Sequence, residues 1–278
     1  MKTSPPTEGV ERLRLRRFDG RRFSTAGADV VREELLEVVA DGRRVVTIAC
    51  AGMHLRELAA GFLKQEGLIE GAEDIREMTV SRGRVEIRTR RGRGRAPAAG
   101  AGKTIASSGA RGGRLLTVQA KGASGAPARP ALDAQSVLSL MDALLAATAI
   151  HERTRGTHCS AIAGPQGILA AREDIGRHNT IDMLCGWALL EGVDLADKVL
   201  LTTGRVSSEI VAKAWRMGIR AVVSHSAATS RAVTLAESLG ITVVGYVRGG
   251  SFIVYAGARH VLTAGARKAK GNRLKAKG

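Results

Sequence analysis

Cysteine is scarce in this 278-residue chain, which has only Cys50, Cys159 and Cys185. An odd, widely spaced set cannot form a disulfide framework, and it indicates a reducing compartment such as the cytoplasm. The sequence also lacks a Cys-x-x-Cys pair and a His-x-Glu pair, which the ligand set of a zinc hydrolase would require. We therefore expect no metal site, although a cysteine nucleophile with His178 as its base stays open.

Aromatic residues make up only 3% of the chain, and no apolar run is long enough to cross a membrane. The first nine residues contain no apolar segment of the kind that signal peptides have, so neither export nor a membrane partner is expected. Because nucleic-acid bases stack on aromatic rings, a dedicated single-strand binder is not expected either.

Acidic residues are also few: the chain has 26 Asp and Glu but 43 Lys and Arg, which gives a net charge of +17. Such a chain attracts anions, whether phosphorylated ligands, acidic proteins or nucleic acid. Much of the positive charge falls in residues 82–95 and 267–277, which are rich in glycine, alanine and arginine and free of aromatics. That composition is typical of solvated surface, and nucleic acid remains only a third alternative.

Hydrophobic periodicity predicts an α/β protein. In the first 90 residues, Leu13 and Leu15 alternate with arginines as in an exposed edge strand, and Gly67 follows a helical pattern. The elements predicted there are the edge strand, a buried strand at 44–49, a helix at 54–66 and a strand at 84–90. Residues 91–130 are mainly Gly, Ala, Arg, Ser and Pro, which predicts a mobile connection with one short strand at 114–119.

The second half of the chain is more regular. Strands alternate there with helices, which predicts a layered sheet with parallel members and an antiparallel hairpin at its start. The predicted helices are 132–152, 177–191, 207–217 and 229–239, and the predicted strands are 158–163, 168–172, 198–202, 219–224, 241–247 and 252–255. The expected organisation is an N-terminal α+β subdomain (1–90), a basic loop region (91–130), a cofactor-binding domain (131–260) and a basic tail (261–278).

Three segments, 171–178, 202–209 and 224–231, each bring polar side chains to the start of a predicted helix. In open α/β sheets ligands bind beyond the carboxyl ends of the strands, and helix N-termini bind phosphate. Ser and Thr also cap helices without any ligand, so capping explains each loop taken singly. Three such loops in succession favour an anionic ligand with several phosphates. The candidate binding residues are Arg177, His178, Thr203, Gly204, Arg205 and Ser226.

A fourth segment, Tyr246–Ser251, lies between two predicted strands. Its Gly249-Gly250 pair is typical of a tight hairpin, and it would also let a ligand approach the backbone closely. Both interpretations stay open, and they are compatible. In the charged stretch AREDIGRHNT (171–180), we expect Asp174 to accept hydrogen bonds from backbone N–H groups at a helix start, rather than to act as a catalytic acid or base.

Four blocks carry a resemblance to a known family: GFLKQEGLI (61–69), AREDIGRHNTIDMLCGWAL (171–189), TTGRVSSEIVAKA (202–214) and GYVRGGSFIVY (245–255). In this order, and over residues 40 to 256, the chain resembles the formate dehydrogenase accessory protein family, FdhD. The resemblance implies a cytidine-deaminase-like α/β fold without the zinc motif, and a homodimer. It also implies binding of the bis(molybdopterin guanine dinucleotide) molybdenum cofactor, with Tyr246, Val247, Arg248, Gly249, Gly250 and Ser251 matching the cofactor-binding segment.

The resemblance further implies a sulfur transfer in which a cysteine desulfurase loads a Cys-x-x-Cys loop with persulfide. The family then passes the sulfur to the cofactor before the cofactor enters formate dehydrogenase. In this chain the matching loop, residues 107–113, has Gly109 and Gly112 at the cysteine positions, and glycine cannot carry a persulfide. Cys159, next to His158, is the only substitute. We therefore expect a formate dehydrogenase accessory protein, with a cofactor-binding homologue that has lost sulfur transfer as the alternative.

Overall fold

A computed structural model describes residues 8–90, 104–105 and 132–263 of the chain. The fold is mixed α/β, and the chain divides into two compact units. Unit 1 comprises residues 1–111, 148–159 and 172–191, and unit 2 comprises residues 112–147, 160–171 and 192–278. Two of the three segments of unit 1 thus come from the part of the chain beyond residue 130.

Unit 1 contains a five-stranded sheet in the order β5-β6-β3-β4-β7. Its central strand β3 pairs antiparallel with β4 and parallel with β6, and the inward-facing residues of all three strands are buried. The strands are β3 (Glu34–Ala40), β4 (Arg43–Cys50), β5 (Ile75–Ser81), β6 (Arg84–Thr89) and β7 (Thr104–Ile105). The strands predicted at 44–49 and 84–90 are confirmed, whereas β3 and β5 were not predicted.

Three helices belong to unit 1: α1 (Leu55–Gln65), α3 (Ala149–Thr154) and α4 (Arg177–Leu190). The helical spacing of Leu58, Phe62 and Leu63 buries these side chains with the apolar residues of β3, β4 and β6. Helix α1 ends where Gly67 adopts a φ of 67°, as the sequence predicts.

Helices α1 and α4 cross at two glycines. A Cβ atom on Gly61 would lie 1.8 Å from the carbonyl oxygen of Asp182, and one on Gly186 would lie 1.9 Å from that of Glu57. Each glycine therefore lets the backbone of one helix touch the backbone of the other. No larger residue fits at either position unless the helices separate.

The N-terminal strands β1 (Val10–Phe18) and β2 (Phe23–Val31) form a separate antiparallel hairpin in unit 1. Val10 is buried at the base of this hairpin, with Val31 partly buried beside it. Nearly all side chains towards the turn are exposed. The predicted strand around Leu13 and Leu15 is confirmed, but its partner β2 was not predicted.

Unit 2 contains most of a six-stranded sheet in the order β10-β9-β11-β12-β13-β14. Strands β11, β12 and β13 are parallel, whereas β9 and β14 pair antiparallel with β11 and β13. The strands are β9 (His158–Gly164), β10 (Gly167–Asp174), β11 (Val199–Thr202), β12 (Ala221–Ser224), β13 (Thr242–Arg248) and β14 (Ser251–Ala256). A short parallel pair, β8 (Leu132–Asp133) with β15 (Val261–Leu262), completes the strands of this unit.

The parallel strands of unit 2 are joined by helices α5 (Ser208–Arg216) and α6 (Ser230–Leu239), which contact each other. Helix α2 (Ala134–Ala146) packs on β11, β12 and β13. All four residues of β11 and of β12 are buried, as expected for parallel strands covered by helices. The predicted alternation of helices and strands between 177 and 255 is confirmed.

The single helix predicted at 132–152 is wrong, because the chain breaks it into α2 and α3. Thr148 has a ψ of 57°, outside the helical range, so the second helix starts afresh at Ala149. The N–H groups of Ile150 and His151 then donate to the carboxylate of Glu173, each at 2.9 Å. This contact binds the start of α3 to β10, so the break has a long-range cause.

Candidate functional site

Three loops of unit 2 follow the carboxyl ends of the parallel strands β11, β12 and β13, which is where open α/β sheets bind ligands. The first two loops are held together by backbone hydrogen bonds. Val206 N–H donates to Ala227 O, and Thr229 N–H donates to Val206 O, both at 3.0 Å. The second loop also contacts β13 itself, because Tyr246 N–H donates to Ser226 O at 2.9 Å.

These three loops, residues 203–207, 225–229 and 249–250, are called the loop cluster below. Small hydroxyl side chains at the ends of β11 and β12 form hydrogen bonds with its backbone. Thr202 Oγ1 accepts from Gly204 N–H at 3.1 Å, and Ser224 Oγ donates to Gly204 O at 2.8 Å. Ser224 Oγ also accepts from Ser226 N–H at 2.9 Å. Predicted candidates Thr203, Gly204, Arg205 and Ser226 are therefore brought together on connected loops of unit 2.

The two helices that begin at these loops differ in their caps. Thr229 precedes α6 and accepts from Ala232 N–H, so the capping interpretation holds for this loop. Ser207 precedes α5, but its hydroxyl caps nothing and its buried Oγ has no hydrogen-bond partner within the described residues. The side chain of Ser207 therefore does not cap the N-terminus of α5.

Exposed arginines line the loop cluster. Arg205 lies in the first loop, Arg231 lies in the first turn of α6, and Arg248 ends β13. Arg231 was not among the predicted binding residues, although it is the last residue of the segment 224–231. Guanidinium groups beside helix N-termini favour anions with several oxygen atoms, such as phosphates.

Tyr246 adopts a left-handed conformation with a φ of 57°, which is uncommon for a residue with a large side chain. The guanidinium of Arg248 stacks on its ring, 3.4 Å from the centroid. Both residues are exposed, whereas the side chain of Val247 is buried. Gly249 and Gly250 have positive φ and open space where a Cβ would point, so both predicted roles of this segment remain compatible.

In unit 1, the charged stretch at the end of β10 binds several elements. Arg172 forms two hydrogen bonds with Glu57 of α1, at 2.5 and 2.7 Å. The neighbouring Glu173 accepts from the first turn of α3 and also from Thr157 Oγ1 at 3.0 Å. Two consecutive charged side chains therefore attach β10 to two different helices.

Asp174, the next residue, connects the end of β10 to the β4–α1 connection and to the start of α4. Its Oδ2 accepts from Ala51 N–H at 2.8 Å, and its Oδ1 accepts from Gly176 N–H at 2.8 Å and from Asn179 Nδ2 at 2.7 Å. The prediction that Asp174 accepts from backbone N–H groups at a helix start is confirmed. Burial raises the pKa of Asp174 to about 6, although these three hydrogen bonds act in the opposite direction.

Arg177 and His178 are the first two residues of α4 in unit 1. His178 is buried, and Arg177 is partly buried. Their assignment to the cofactor site stays a prediction.

All three cysteines of the chain lie within the described residues, and all three are buried. Burial raises the pKa of the Cys159 thiol to about 12, and the charge of Glu173 adds to this effect. Burial likewise raises the pKa of Cys50 to about 12. A thiol that is covered and protonated is a poor nucleophile, which argues against Cys159 as a substitute carrier. Gly109 and Gly112 lie outside the described residues.

In the described part of the chain, no group of three or more His, Cys, Asp or Glu side chains could hold a metal ion. Among the helices of residues 8–90 and 132–263, none is long and apolar enough to cross a membrane.

Within the described residues, four sheets and six α-helices make this a mixed α/β protein. A sequence model of the FdhD/NarQ family matches residues 31–262, and the chain belongs to that family. It is 34% identical to the sulfur carrier protein FdhD of Bacillus pumilus over 237 residues, which cover 84% of this chain and 90% of the relative. It is also 34% identical to the protein of the same name from Bacillus subtilis, over 86% of this chain and 92% of the relative.

The fold is similar to the crystal structure of a proposed formate dehydrogenase accessory protein from Desulfotalea psychrophila. The TM-score is 0.78 at 23% sequence identity, and the match covers 91% of this chain and all of that one. The predicted membership of the FdhD family is therefore confirmed.

Proposed function

We propose that this protein assists the maturation of formate dehydrogenase by binding the bis(molybdopterin guanine dinucleotide) cofactor at the loop cluster of unit 2. The observation that carries this proposal is the joining of the loops after β11 and β12 to each other and to β13 by backbone hydrogen bonds, with Arg205, Arg231 and Arg248 exposed on or beside them. The cofactor has two pyrophosphates, and the donors present match such a ligand. When bound, the cofactor supplies the molybdenum that formate dehydrogenase later uses.

Each part of the loop cluster has its own role in this proposal. The N-terminus of α5, with its helix dipole, and the guanidinium of Arg205 hold one phosphate group. Tyr246 and the Gly249-Gly250 pair let the guanine nucleotide approach the backbone, and Arg248 adds a second cation. Thr203, Gly204, Ser226 and Ser251 complete the predicted set.

Calorimetric titration with guanosine diphosphate tests this site without the complete cofactor. Arg205→Ala and Arg248→Ala should each raise the Kd by about tenfold, because each removes a charge-assisted hydrogen bond to phosphate. Arg43→Ala is the matched control, since Arg43 is an exposed arginine at the β3–β4 turn of unit 1. Arg177→Ala tests in the same way whether α4 contributes to the site. Unchanged affinity in both loop variants would remove the loop cluster from the proposal.

A second candidate function is cofactor binding without sulfur transfer, and the burial of all three cysteines favours it. A carrier thiolate must attack the outer sulfur of the desulfurase persulfide, take up that sulfur and release the desulfurase thiolate. This step needs an exposed and ionised thiol. With Gly109 and Gly112 in the family's cysteine positions, the cysteine desulfurase loses its expected acceptor.

Mass spectrometry after incubation with a cysteine desulfurase and cysteine separates the two candidates. The unmodified chain should gain no sulfur, whereas Gly109→Cys combined with Gly112→Cys should gain a persulfide. Ser107→Cys combined with Ala110→Cys is a control that places two thiols in the same loop at other positions. One added sulfur on the unmodified chain, lost on Cys159→Ser, would instead establish Cys159 as the carrier.

The proposal also includes a homodimer and a cytidine-deaminase-like layering of the α/β elements, which the family resemblance implies. It includes a cytoplasmic location as well, which the few and widely spaced cysteines indicate. Sedimentation of the purified protein over a range of concentrations tests the dimer. A monomer at every concentration would remove this part of the proposal and leave the cofactor site unaffected.

A further inference from the structure

The β1–β2 hairpin exposes two aromatic rings next to its turn. The side chains of Phe18 and Phe23 are 56% and 61% exposed, and the two residues face each other across the strands with ring centroids 5.1 Å apart. Leu15, which points to the opposite face of the hairpin, is 44% exposed. A partner that covers these side chains removes their apolar surface from water, which favours binding at this tip.

Arginines surround these apolar side chains. Between residues 13 and 28 the hairpin has five arginines and a single acid, Asp19. The five are Arg14, Arg16, Arg17, Arg21 and Arg22. The Asp19 carboxylate accepts from two backbone N–H groups of the turn, so it mainly serves the turn itself. Arg14 and Arg16 share a face with the rings, Arg17 lies on the opposite face, and Arg16 stacks on Phe23 at 4.6 Å.

Arg12 has an acidic partner within the hairpin itself. Nearer the base of the hairpin, it pairs with Asp29 at 2.8 Å, and Arg153 of α3 pairs with the same carboxylate. Within the described residues, Arg14, Arg16 and Arg17 have no such acidic partner. The positive charge of the tip is therefore available to a partner, and that partner must be acidic.

The hairpin tip is rich in arginine and large aromatic residues, which are the types that contribute most to protein–protein interfaces. This composition favours a folded protein as the occupant.

Two other occupants fit less well. A second copy of this chain presents the same five arginines at its own tip, so pairing of one tip with another is opposed by repulsion. A nucleic-acid base would stack on an open ring face, but here the two rings pack on each other with centroids 5.1 Å apart. Arg16 also covers part of Phe23.

We infer that the tip of the β1–β2 hairpin docks into an acidic cleft on the formate dehydrogenase that the protein serves, with Phe18 and Phe23 as the buried anchors. This inference rests on the proposed function, which supplies the identity of the client. The arginines on both faces pair with carboxylates on the two walls of the cleft. The docking is independent of the loop cluster in unit 2.

Binding of the purified apo-formate dehydrogenase from the same organism tests the inference. Arg16→Glu combined with Arg17→Glu should raise the Kd at least about tenfold and weaken its dependence on salt. Phe18→Ser combined with Phe23→Ser should raise the Kd at both low and high salt. The control is Arg43→Glu combined with Arg44→Glu, which changes the charge equally at the exposed β3–β4 turn and should leave the Kd within about twofold.

The outcomes separate the inference from the proposed function. Guanosine diphosphate titration of every variant should give the unmodified affinity, which shows that the chain is folded. If the unmodified protein binds the enzyme and the hairpin variants bind equally well, the docking surface is wrong and the proposed function stands. If the unmodified protein does not bind the enzyme at all, the client assignment fails with it. Hairpin-dependent binding to an oligonucleotide, or hairpin-dependent self-association, would assign the tip to one of the other occupants.

Discussion

Arg172, Glu173 and Asp174 are three consecutive charged residues, and each binds a different part of unit 1. A charged cluster at the start of a helix resembles a catalytic site, but here every carboxylate oxygen accepts a hydrogen bond within the protein. These side chains hold β10, α1, α3 and the β4–α1 connection in place. Their chemistry is therefore structural.

Replacing Asp174 should destabilise the protein strongly. Asp174→Ala leaves the N–H groups of Ala51 and Gly176 and the side-chain amide of Asn179 without their acceptor. We expect a loss of about 2–4 kcal/mol in the free energy of unfolding, measured by urea denaturation. Asp194→Ala is the control, because this exposed carboxylate accepts from Ala196 N–H alone among the residues that the structure describes. An equal cost for the two variants would contradict the structural role of Asp174.

The raised pKa of Asp174 predicts a pH dependence of stability. In the folded protein the pKa is about 6, above its ordinary value of 3.8, so between these values the folded state binds more protons than the unfolded state. The stability that Asp174 contributes should therefore fall as the pH rises through this window, by up to about 3 kcal/mol. Asp174→Asn lacks this titration. If the difference in the free energy of unfolding between the two proteins stayed constant from about pH 4 to about pH 7, the pKa of Asp174 would not be raised.

Among the elements, the packing of α1 on α4 depends on two glycines. Gly186→Ala gains helix propensity, worth about 1 kcal/mol, but its methyl group would overlap the carbonyl of Glu57. We expect the overlap to prevail and to cost about 2–4 kcal/mol in thermal or urea unfolding. Cys185→Ala, one residue earlier in α4, brings no atom to the α1 backbone and should cost less. A Gly186→Ala protein as stable as the unmodified chain would mean that the helices can separate freely.

The sequence predicts some elements well and misses others for physical reasons. Helix α1 and the alternation from β11 to β13 were predicted, because their apolar spacing and their glycine or hydroxyl ends are local signals. Strand β2 has no alternation of apolar and polar residues and is fixed by pairing with β1. The break before α3 depends on Glu173, more than twenty residues away. Long-range contacts of this kind leave no local pattern.

For the candidate site, the sequence located the loops but not their geometry. Residues 202–209 and 224–231 were selected as hydroxyl-rich helix starts, and the structure joins them in unit 2. The left-handed conformation of Tyr246 and the failure of Ser207 to cap α5 could not be predicted, since both residue types usually behave otherwise. Arg231 could have been selected, because it follows the same hydroxyl-rich loop.

On the scale of the whole molecule, the segments of each unit alternate along the chain. Unit 1 takes residues 1–111, 148–159 and 172–191. A fragment of residues 1–111 would lack α4, whose Met183, Leu189 and Leu190 pack with the core of α1 and the sheet. We expect such a fragment to show no cooperative unfolding transition by circular dichroism. Adding the peptide 148–191 should restore one, and a fragment that folds alone would contradict this dependence.

Because unit 1 is discontinuous in sequence, its core cannot be completed during translation until α4 has been synthesised. The first 90 residues emerge with one face of their sheet and α1 still exposed, and α4 is synthesised about one hundred residues later. At about 5–20 residues per second, the nascent chain carries an unfinished apolar surface for several seconds. The protein should therefore depend on chaperones during translation more than its size suggests, and synonymous codons that slow synthesis between residues 90 and 190 should lower its yield.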